Sequence, residues 1–581
     1  MKTLMTGNEA IARGAYEAGV RVGVAYPGTP STEILENVAL YPEIRSQWSP
    51  NEKVALEVGI GASLAGARTL VAMKHVGVNV AADPLMTFAY MGVNGGLVLI
   101  TADDPGMHSS QNEQDNRIFG RFAQIPVVEP SDSQEVIDFM QEAYEISERF
   151  DTPVLFRETT RIAHSQSLVS LHERKDIPLK DYVKDPKKNV MLPANGRLRH
   201  PIVEQRRMDL EVFSNTTWLN RTEWLDRKIG IICSGAVYQY VKEVLPEASV
   251  LKLGLSYPMP KDLVTTFVKG VETCYVIEEL EPVMEDQIRA WGLPVIGKEL
   301  FPRVGEFSSE LIASKMNKEM PVPAMEDHKD IPIRPPVLCP GCPHRGVYYI
   351  INKLKLRVTG DIGCYTLGAA PPLSAMDTCV CMGGSIPVSH GMELARGREF
   401  IKDTVAVIGD STFMHSGMTG LADVVYNGGT STILILDNAT TAMTGHQDNP
   451  TTGQTLSQGM GETIDVEKVA RSMGIERVRV VDPYDLKETE RALREETAAA
   501  ETSVIVFRRP CVLLKGCAPT GNVVMVDQDI CRACGLCGKL GCPAIVFKSD
   551  KPTIDGSLCN GCGLCIDVCP FQAIQEVTDD E

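Results

Sequence analysis

The chain has 581 residues, enough for three to five domains that each bury a core. Its formal net charge is −18, with no basic tail or dense Lys/Arg cluster, which sets nucleic acid aside as a partner. The opening residues lack a signal-peptide pattern and no apolar run approaches the roughly 20 residues that span a bilayer, so the 17 cysteines point to a reducing cytoplasm and no membrane.

Residues 1–165 alternate short apolar runs with amphipathic stretches. The runs 22–26, 69–73, 96–101 and 153–157 predict buried parallel strands, and 8–18, 52–65 and 133–149 predict helices. That pattern is an α/β domain with strands between helices. Over 166–227 the rhythm is lost, and Asp185-Pro186 and Pro193-Ala194-Asn195-Gly196 mark a connecting segment. It returns at 229–233, 249–253 and 274–278, a smaller α/β domain over 228–320. A proline-rich linker follows at 321–336. A third α/β domain, 336–517, has 404–408, 431–436 and 504–507 as its clearest strands. The last segment, 518–581, is defined by cysteine.

Eight cysteines lie between 531 and 569. They read Cys531-x2-Cys534-x2-Cys537-x4-Cys542-Pro543 and Cys559-x2-Cys562-x2-Cys565-x3-Cys569-Pro570. Two CxxCxxC runs, each closed by Cys-Pro, fit a pair of [4Fe–4S] clusters. Three thiolates grip one cube and the fourth crosses to the other. The crossing assigns Cys531, Cys534, Cys537 and Cys569 to one cluster, and Cys542, Cys559, Cys562 and Cys565 to the second. Paired CxxC units also hold zinc, but the Cys-Pro closures are hard to explain that way.

In the third domain Gly409-Asp410-Ser411 follows one apolar run, and Asn438 follows the next, 28 residues after Asp410. Both stand at C-terminal strand ends, where α/β sheets hold ligands. A carboxylate and an amide oxygen suit Mg²⁺ shared with phosphates. Gly409 permits close backbone approach, and a helix start beyond it offers N–H donors. Cys339-Pro340-Gly341-Cys342, Cys364 and Cys511 could converge on one further cluster. Buried free thiols are common, however, and Cys379 and Cys381 compete as ligands. Cys233 and Cys274 read as core. His344 either faces a diphosphate or caps a helix. Gly59-x-Gly61 follows a helical pattern, so it is not a dinucleotide site.

Gly409-Asp410-Ser411 with the distant Asn438 resembles the thiamine diphosphate motif. Thr444-Gly445-His446-Gln447 is similar to the 2-oxoacid:ferredoxin oxidoreductases. The domain order resembles the same family: pyrimidine-binding, transketolase-C-like, diphosphate-binding, then a two-cluster ferredoxin module. Tyr26-Pro27-Gly28-Thr29-Pro30-Ser31 and Gly360-Asp361-Ile362-Gly363-Cys364-Tyr365 look like its indolepyruvate-directed large subunits.

The resemblance implies thiamine diphosphate, with Mg²⁺ on Asp410, Asn438 and the Thr440 carbonyl. It implies Glu52, with Glu57 as rival, as the catalytic acid on the cofactor's aminopyrimidine. Read from the residues alone, an acid at a helix start such as Glu52 more commonly serves the helix dipole. It further implies that Thr29 faces the substrate carboxylate and that Cys339, Cys342, Cys364 and Cys511 hold a proximal [4Fe–4S] cluster. The arginine that helps bind the carboxylate in the family has no identifiable counterpart. The implied reaction is oxidative decarboxylation of aryl pyruvates such as indolepyruvate to aryl-acetyl-CoA and CO2. Electrons pass to ferredoxin, coenzyme A takes the acyl group, and a separate small (beta) subunit completes the enzyme. The rival readings are another 2-oxoacid substrate, or a non-catalytic iron–sulfur subunit on a degenerate thiamine fold.

Overall fold

The computed structural model describes residues 2–319, 332, 334–457 and 459–577, so most of the linker 321–336 lies outside the described residues. The chain forms two compact units, 1–327 and 328–581.

In the first unit a seven-stranded sheet runs in the order Leu255–Tyr257, Val127–Val128, Val154–Thr159, Leu97–Asp103, Thr69–Lys74, Val22–Ala25 and Arg45–Trp48. Every pair is parallel except the first. Strands covered on both faces need continuous apolar sequence rather than alternation, and Leu97–Asp103 is buried along its whole length. Helix Glu52–Leu64 packs closely on this sheet. A Cβ on Gly59 would lie 2.4 Å from Val71 Cγ2, so that glycine serves helix–sheet packing.

The stretch 166–227 loses its rhythm for a physical reason. Gln166–Ser170 pairs antiparallel with Lys2–Thr6, and beyond it Pro193–Ser214 is a 22-residue helix. Arginines help to hold that helix in place. Arg199 Nε donates to the Tyr90 carbonyl at 2.8 Å, and Arg206 donates to the carbonyls of Asp151 at 2.7 Å and Ala89 at 2.6 Å. Tyr90 and Ala89 end helix Ala82–Met91, where cations are favoured. Polar anchors leave little hydrophobic period to read.

A smaller sheet has the order Thr273–Ile277, Asp226–Cys233, Ala248–Leu253 and Asn220–Glu223. Cys233 and Cys274 are buried in it. Its strand ends meet the larger sheet through buried charge. Arg117, 2% exposed, pairs with Asp115 at 2.5 Å and Glu278 at 2.7 Å. Beside this contact, within the larger sheet, Arg157 pairs with Asp103 and Glu129, each at 2.6 Å. Burial raises the Asp115 carboxyl, but the two arginines outweigh it and hold it at about 2. Breaking one such buried pair costs about 3–5 kcal/mol, enough to fix how the two sheets of this unit meet.

The second unit is built on a six-stranded, all-parallel sheet: Thr378–Cys379, Arg357–Gly360, Thr404–Gly409, Thr432–Asp437, Ser503–Arg508 and Arg477–Val481. The cysteine-rich segment adds two short antiparallel strand pairs, Val524–Val526 with Ile574–Glu576 and, between them in the chain, Ile545–Phe547 with Pro552–Ile554. It has no separate core. Leu540, Leu564, Val568 and Ile574 pack into one cluster with Val347, Ile351, Val405 and Phe507 of the sheet and its helices. Among the described residues no helix is long and apolar enough to cross a membrane.

Candidate active site and cysteine cavities

In the second unit, Thr404–Gly409 and Thr432–Asp437 are neighbours, with Gly409 opposite Leu436. The residues that follow them therefore leave the same sheet edge. Gly409 is required there, because a Cβ would lie 2.6 Å from the Tyr365 ring. Helical backbone begins at Asp410 and continues through Ser411 to Tyr426. Asp410 is 2% exposed and accepts from Thr451 Oγ1 at 3.0 Å. Burial pushes its carboxyl up to about 7. Ala439 is left-handed, with φ of 57°, and this turns the chain between Asn438 and Thr440.

The inner end of the Asn438 amide lies 2.8 Å from the Thr440 carbonyl oxygen and 3.2 Å from Asp410 Oδ1. With its nitrogen inward, the amide donates to both. With its oxygen inward, three acceptors converge on one place, and only a cation satisfies all three. The outer end faces His344 Nε2 at 3.5 Å. Burial pulls His344 down to about 4, and a neutral imidazole presents Nε2 as donor or acceptor according to its tautomer. In the tautomer whose Nε2 accepts, the amide nitrogen faces His344 and its oxygen turns inward. In that orientation the donor set fits a hard divalent ion beside phosphate.

In the first unit, Glu52 opens helix Glu52–Leu64, after Asn51 whose side chain accepts from Val54 N at 2.9 Å. Glu52 is 6% exposed, and a Cβ on Gly77 would lie 2.6 Å from its Cγ. Glu57 is exposed and ion-paired to Lys53. The two glutamates therefore occupy opposite environments, which their spacing alone could not reveal. Thr29 lies past strand Val22–Ala25, and its carbonyl accepts from Ser109 Oγ at 3.1 Å.

Lys74 ends the adjacent strand and donates to the Ser109 carbonyl at 2.7 Å. A Cβ on Gly28 would touch the Lys74 side chain at 3.1 Å, so Lys74 packs beside the turn that carries Thr29. Burial pulls its ammonium down to about 8, partly offset by Asp104. Among the described residues no carboxylate comes within 4 Å of it. Asp104 is instead engaged by Ser109 N at 2.8 Å, Ser110 Oγ at 2.6 Å and Thr160 Oγ1 at 2.7 Å. Sequence reasoning missed this residue. The available signal was a lysine closing an otherwise apolar parallel strand.

The eight C-terminal cysteines line two cavities in the second unit. One is walled by Cys531, Cys534, Cys537 and Cys569, the other by Cys542, Cys559, Cys562 and Cys565. These are the two crossed sets read from the spacing. Among the described residues no three His, Cys, Asp or Glu side chains gather on one point as a single zinc ion would need.

Cys339, Cys342, Cys364 and Cys511 are linked electrostatically. Burial pushes Cys342 up to about 12 and Cys364 up to about 11. Cys339 and Cys364 add to the first shift, Cys511 and Cys339 to the second. Burial also raises Cys511, which feels Cys339 and Cys517. Cys379 and Cys381 are exposed and act electrostatically with Asp361 rather than with this group.

Three family models match the chain. They describe a pyruvate flavodoxin/ferredoxin oxidoreductase thiamine diphosphate-binding domain over 13–223, a thiamine pyrophosphate enzyme C-terminal TPP-binding domain over 361–507, and a 4Fe-4S binding domain over 552–575. The indolepyruvate oxidoreductase subunit IorA of Pyrococcus horikoshii is 42% identical, covering 100% of this chain and 98% of its own. That of Archaeoglobus fulgidus is 40% identical, covering 99% and 97%. A solved 2-oxoglutarate:ferredoxin oxidoreductase from Magnetococcus marinus superposes with a TM-score of 0.46 at 18% identity, over 54% of this chain and 65% of that one. With near-complete coverage by relatives at this identity, the chain belongs to the IorA family of indolepyruvate oxidoreductase subunits, within the 2-oxoacid:ferredoxin oxidoreductases.

Proposed function

We propose that this chain is the large subunit of an enzyme that oxidatively decarboxylates aryl pyruvates, passing electrons through its iron–sulfur clusters to ferredoxin and the acyl group to coenzyme A. A separate small subunit completes the enzyme. One observation carries this reading. A single compact unit holds both the Asp410–Asn438–Thr440 oxygen set and the cysteine-walled cavities. Carbanion chemistry and one-electron carriers thus share one rigid support. Thiamine diphosphate, when bound, supplies the carbon nucleophile and the electron sink that decarboxylation of a 2-oxoacid requires.

This chain's own residues do the remainder. Asp410 Oδ1, the Asn438 amide oxygen and the Thr440 carbonyl hold Mg²⁺ on the diphosphate, while Gly409 and Ser411 present backbone to it. His344, in the tautomer whose Nε2 accepts, keeps the amide nitrogen outward. Buried Glu52 holds a proton at the aminopyrimidine ring nitrogen, in the space Gly77 leaves. Thr29 and Lys74 receive the substrate carboxylate, and Lys74 takes the part of the arginine absent from the sequence. An ammonium half-buried without a carboxylate partner is ready for an anionic ligand. Cys531, Cys534, Cys537 and Cys569 hold one [4Fe–4S] cluster and Cys542, Cys559, Cys562 and Cys565 a second. Cys339, Cys342, Cys364 and Cys511 hold a third.

Four outcomes follow for the reconstituted two-subunit enzyme. Glu52→Gln loses roughly 10²–10⁴ in rate, the range for a general acid–base group, and slows hydrogen–deuterium exchange at the cofactor's reactive carbon. Glu57→Gln stays near normal, and the reverse ranking would overturn the assignment.

Across indolepyruvate, phenylpyruvate, pyruvate and 2-oxoglutarate, assayed by dye reduction, the aryl pyruvates give the highest kcat/KM. Preference for pyruvate or 2-oxoglutarate would contradict the substrate class. Lys74→Met raises KM for the preferred substrate roughly 10–150-fold, the loss of a charged hydrogen bond worth about 1.5–3 kcal/mol. Lys74→Arg retains most of the affinity. An unchanged KM in the methionine variant would remove Lys74 from the site.

Cys511→Ala, prepared anaerobically, loses about four irons per chain while the two C-terminal clusters remain. An unchanged iron content would leave those four cysteines structural.

A further inference from the structure

Arg345 stands on the first turn of helix His344–Leu354 and is 2% exposed. Its guanidinium bridges two parts of the second unit. Nη1 donates to the Leu540 carbonyl at 2.9 Å, in the cysteine-rich segment. Nη2 donates to the carbonyls of Cys339, at 3.0 Å, and Leu338. All of these acceptors are neutral, Nε has no hydrogen-bond partner, and among the described residues no carboxylate lies within 4 Å. A buried arginine without a counter-ion is costly, and the structure supplies the reason for keeping it. Arg345 lines the cavity of Cys542, Cys559, Cys562 and Cys565, and it is the one charged residue in that lining. Burial lowers its pKa, and the groups that oppose this are thiols: Cys542, Cys342, Cys562 and Cys339.

The other cavity differs. Its charged lining residue is Arg532, which is exposed to solvent. A charge in water acts through a dielectric of about 80, and a buried one through about 20, so at equal distance the buried charge acts roughly four times more strongly. The two cavities also differ in position. The cavity with Arg345 abuts the Cys339–Cys342 loop, where Asn560 Nδ2 donates to the Pro340 carbonyl at 2.8 Å.

We propose that Arg345 is the fixed counter-charge of the cluster held by Cys542, Cys559, Cys562 and Cys565, and makes it the more easily reduced of the two C-terminal clusters. The inference rests on the reading that each cavity holds a [4Fe–4S] cluster. The step is one electron, released by substrate oxidation. No bond breaks and no proton moves. The cluster gains one negative charge, which the guanidinium offsets at close range. Arg345 is therefore a positioning residue for charge, set where electrons enter the C-terminal pair.

The test is a redox titration of the holoenzyme followed by electron paramagnetic resonance, with iron analysis on every sample. Two C-terminal signals with distinct midpoints are expected. Arg345→Gln keeps a donor for the Leu540 carbonyl without the charge. It should lower only the higher midpoint, by at least a tenfold change in the reduction equilibrium, or about 59 mV for one electron. Arg345→Lys should stay closer to wild type. Unchanged midpoints in Arg345→Gln at full iron content would overturn the proposal and leave Arg345 a clamp. Should the glutamine variant lose iron, the wild-type enzyme decides. Raising salt from about 0.05 M to about 1 M screens exposed charges and spares buried ones. The higher midpoint should hold while the lower one moves, and a higher midpoint that drifts equally with salt would overturn the proposal. Absence of iron from the wild-type C-terminal segment would instead remove the cluster reading itself.

Discussion

Two neighbouring parallel strands that end level with each other are the constraint on which the candidate site depends. Because Gly409 stands opposite Leu436, Asp410 and Asn438 emerge side by side at one sheet edge. A slip of one residue in a strand turns its side chains to the other face, and the three oxygens would no longer converge. The register is reinforced locally. The Tyr365 ring packs where a Cβ on residue 409 would sit, and its hydroxyl donates to the Ile362 carbonyl at 2.9 Å. Left-handed Ala439 then brings the Thr440 carbonyl back toward the carboxylate. Glycine at 409, tyrosine at 365 and a tight turn at 439 are thus one device.

The cysteine-rich segment depends on the same sheet. It is short and its strands are only three residues each, too little to bury a sufficient core alone. It borrows one from the helix that begins at His344, through Val347 and Ile351. That single helix start carries three consequences. His344 faces the Asn438 amide, Arg345 reaches the carbonyls on either side of a cysteine cavity, and Gly346 lets the Pro483 carbonyl approach, since a Cβ there would lie 2.3 Å from it. The loop that bears Asn438 and the cysteine cavities thus meet one element.

Much of this was legible in the sequence, because the informative features were local. Continuous apolar runs gave the parallel strands, since burial on both faces leaves no alternation to confuse. Cysteine spacing separated the two crossed sets, because three thiols on one loop cannot reach far. The long helix Pro193–Ser214 was not legible, because arginines bound to carbonyls help to fix it in place. Glu52 was preferred to Glu57 in the sequence only through its place at a helix start and the family resemblance. Packing adds the physical difference: one is enclosed beside Gly77 and the other is paired to Lys53 at the surface. Lys74 and Arg345 were silent for a similar reason. Their meaning lies in having no carboxylate partner, and a partner's absence is a property of three-dimensional surroundings.

The central claim is that the two strand ends form a cation–diphosphate site. Calorimetric titration of thiamine diphosphate into the anaerobically prepared enzyme, in the presence of Mg²⁺, tests it most directly. Wild type should bind stoichiometrically. Asp410→Ala should lose Mg²⁺-dependent binding and keep its full iron content, because the cysteine cavities do not use that carboxylate. Stoichiometric, Mg²⁺-dependent binding by the alanine variant would contradict the claim.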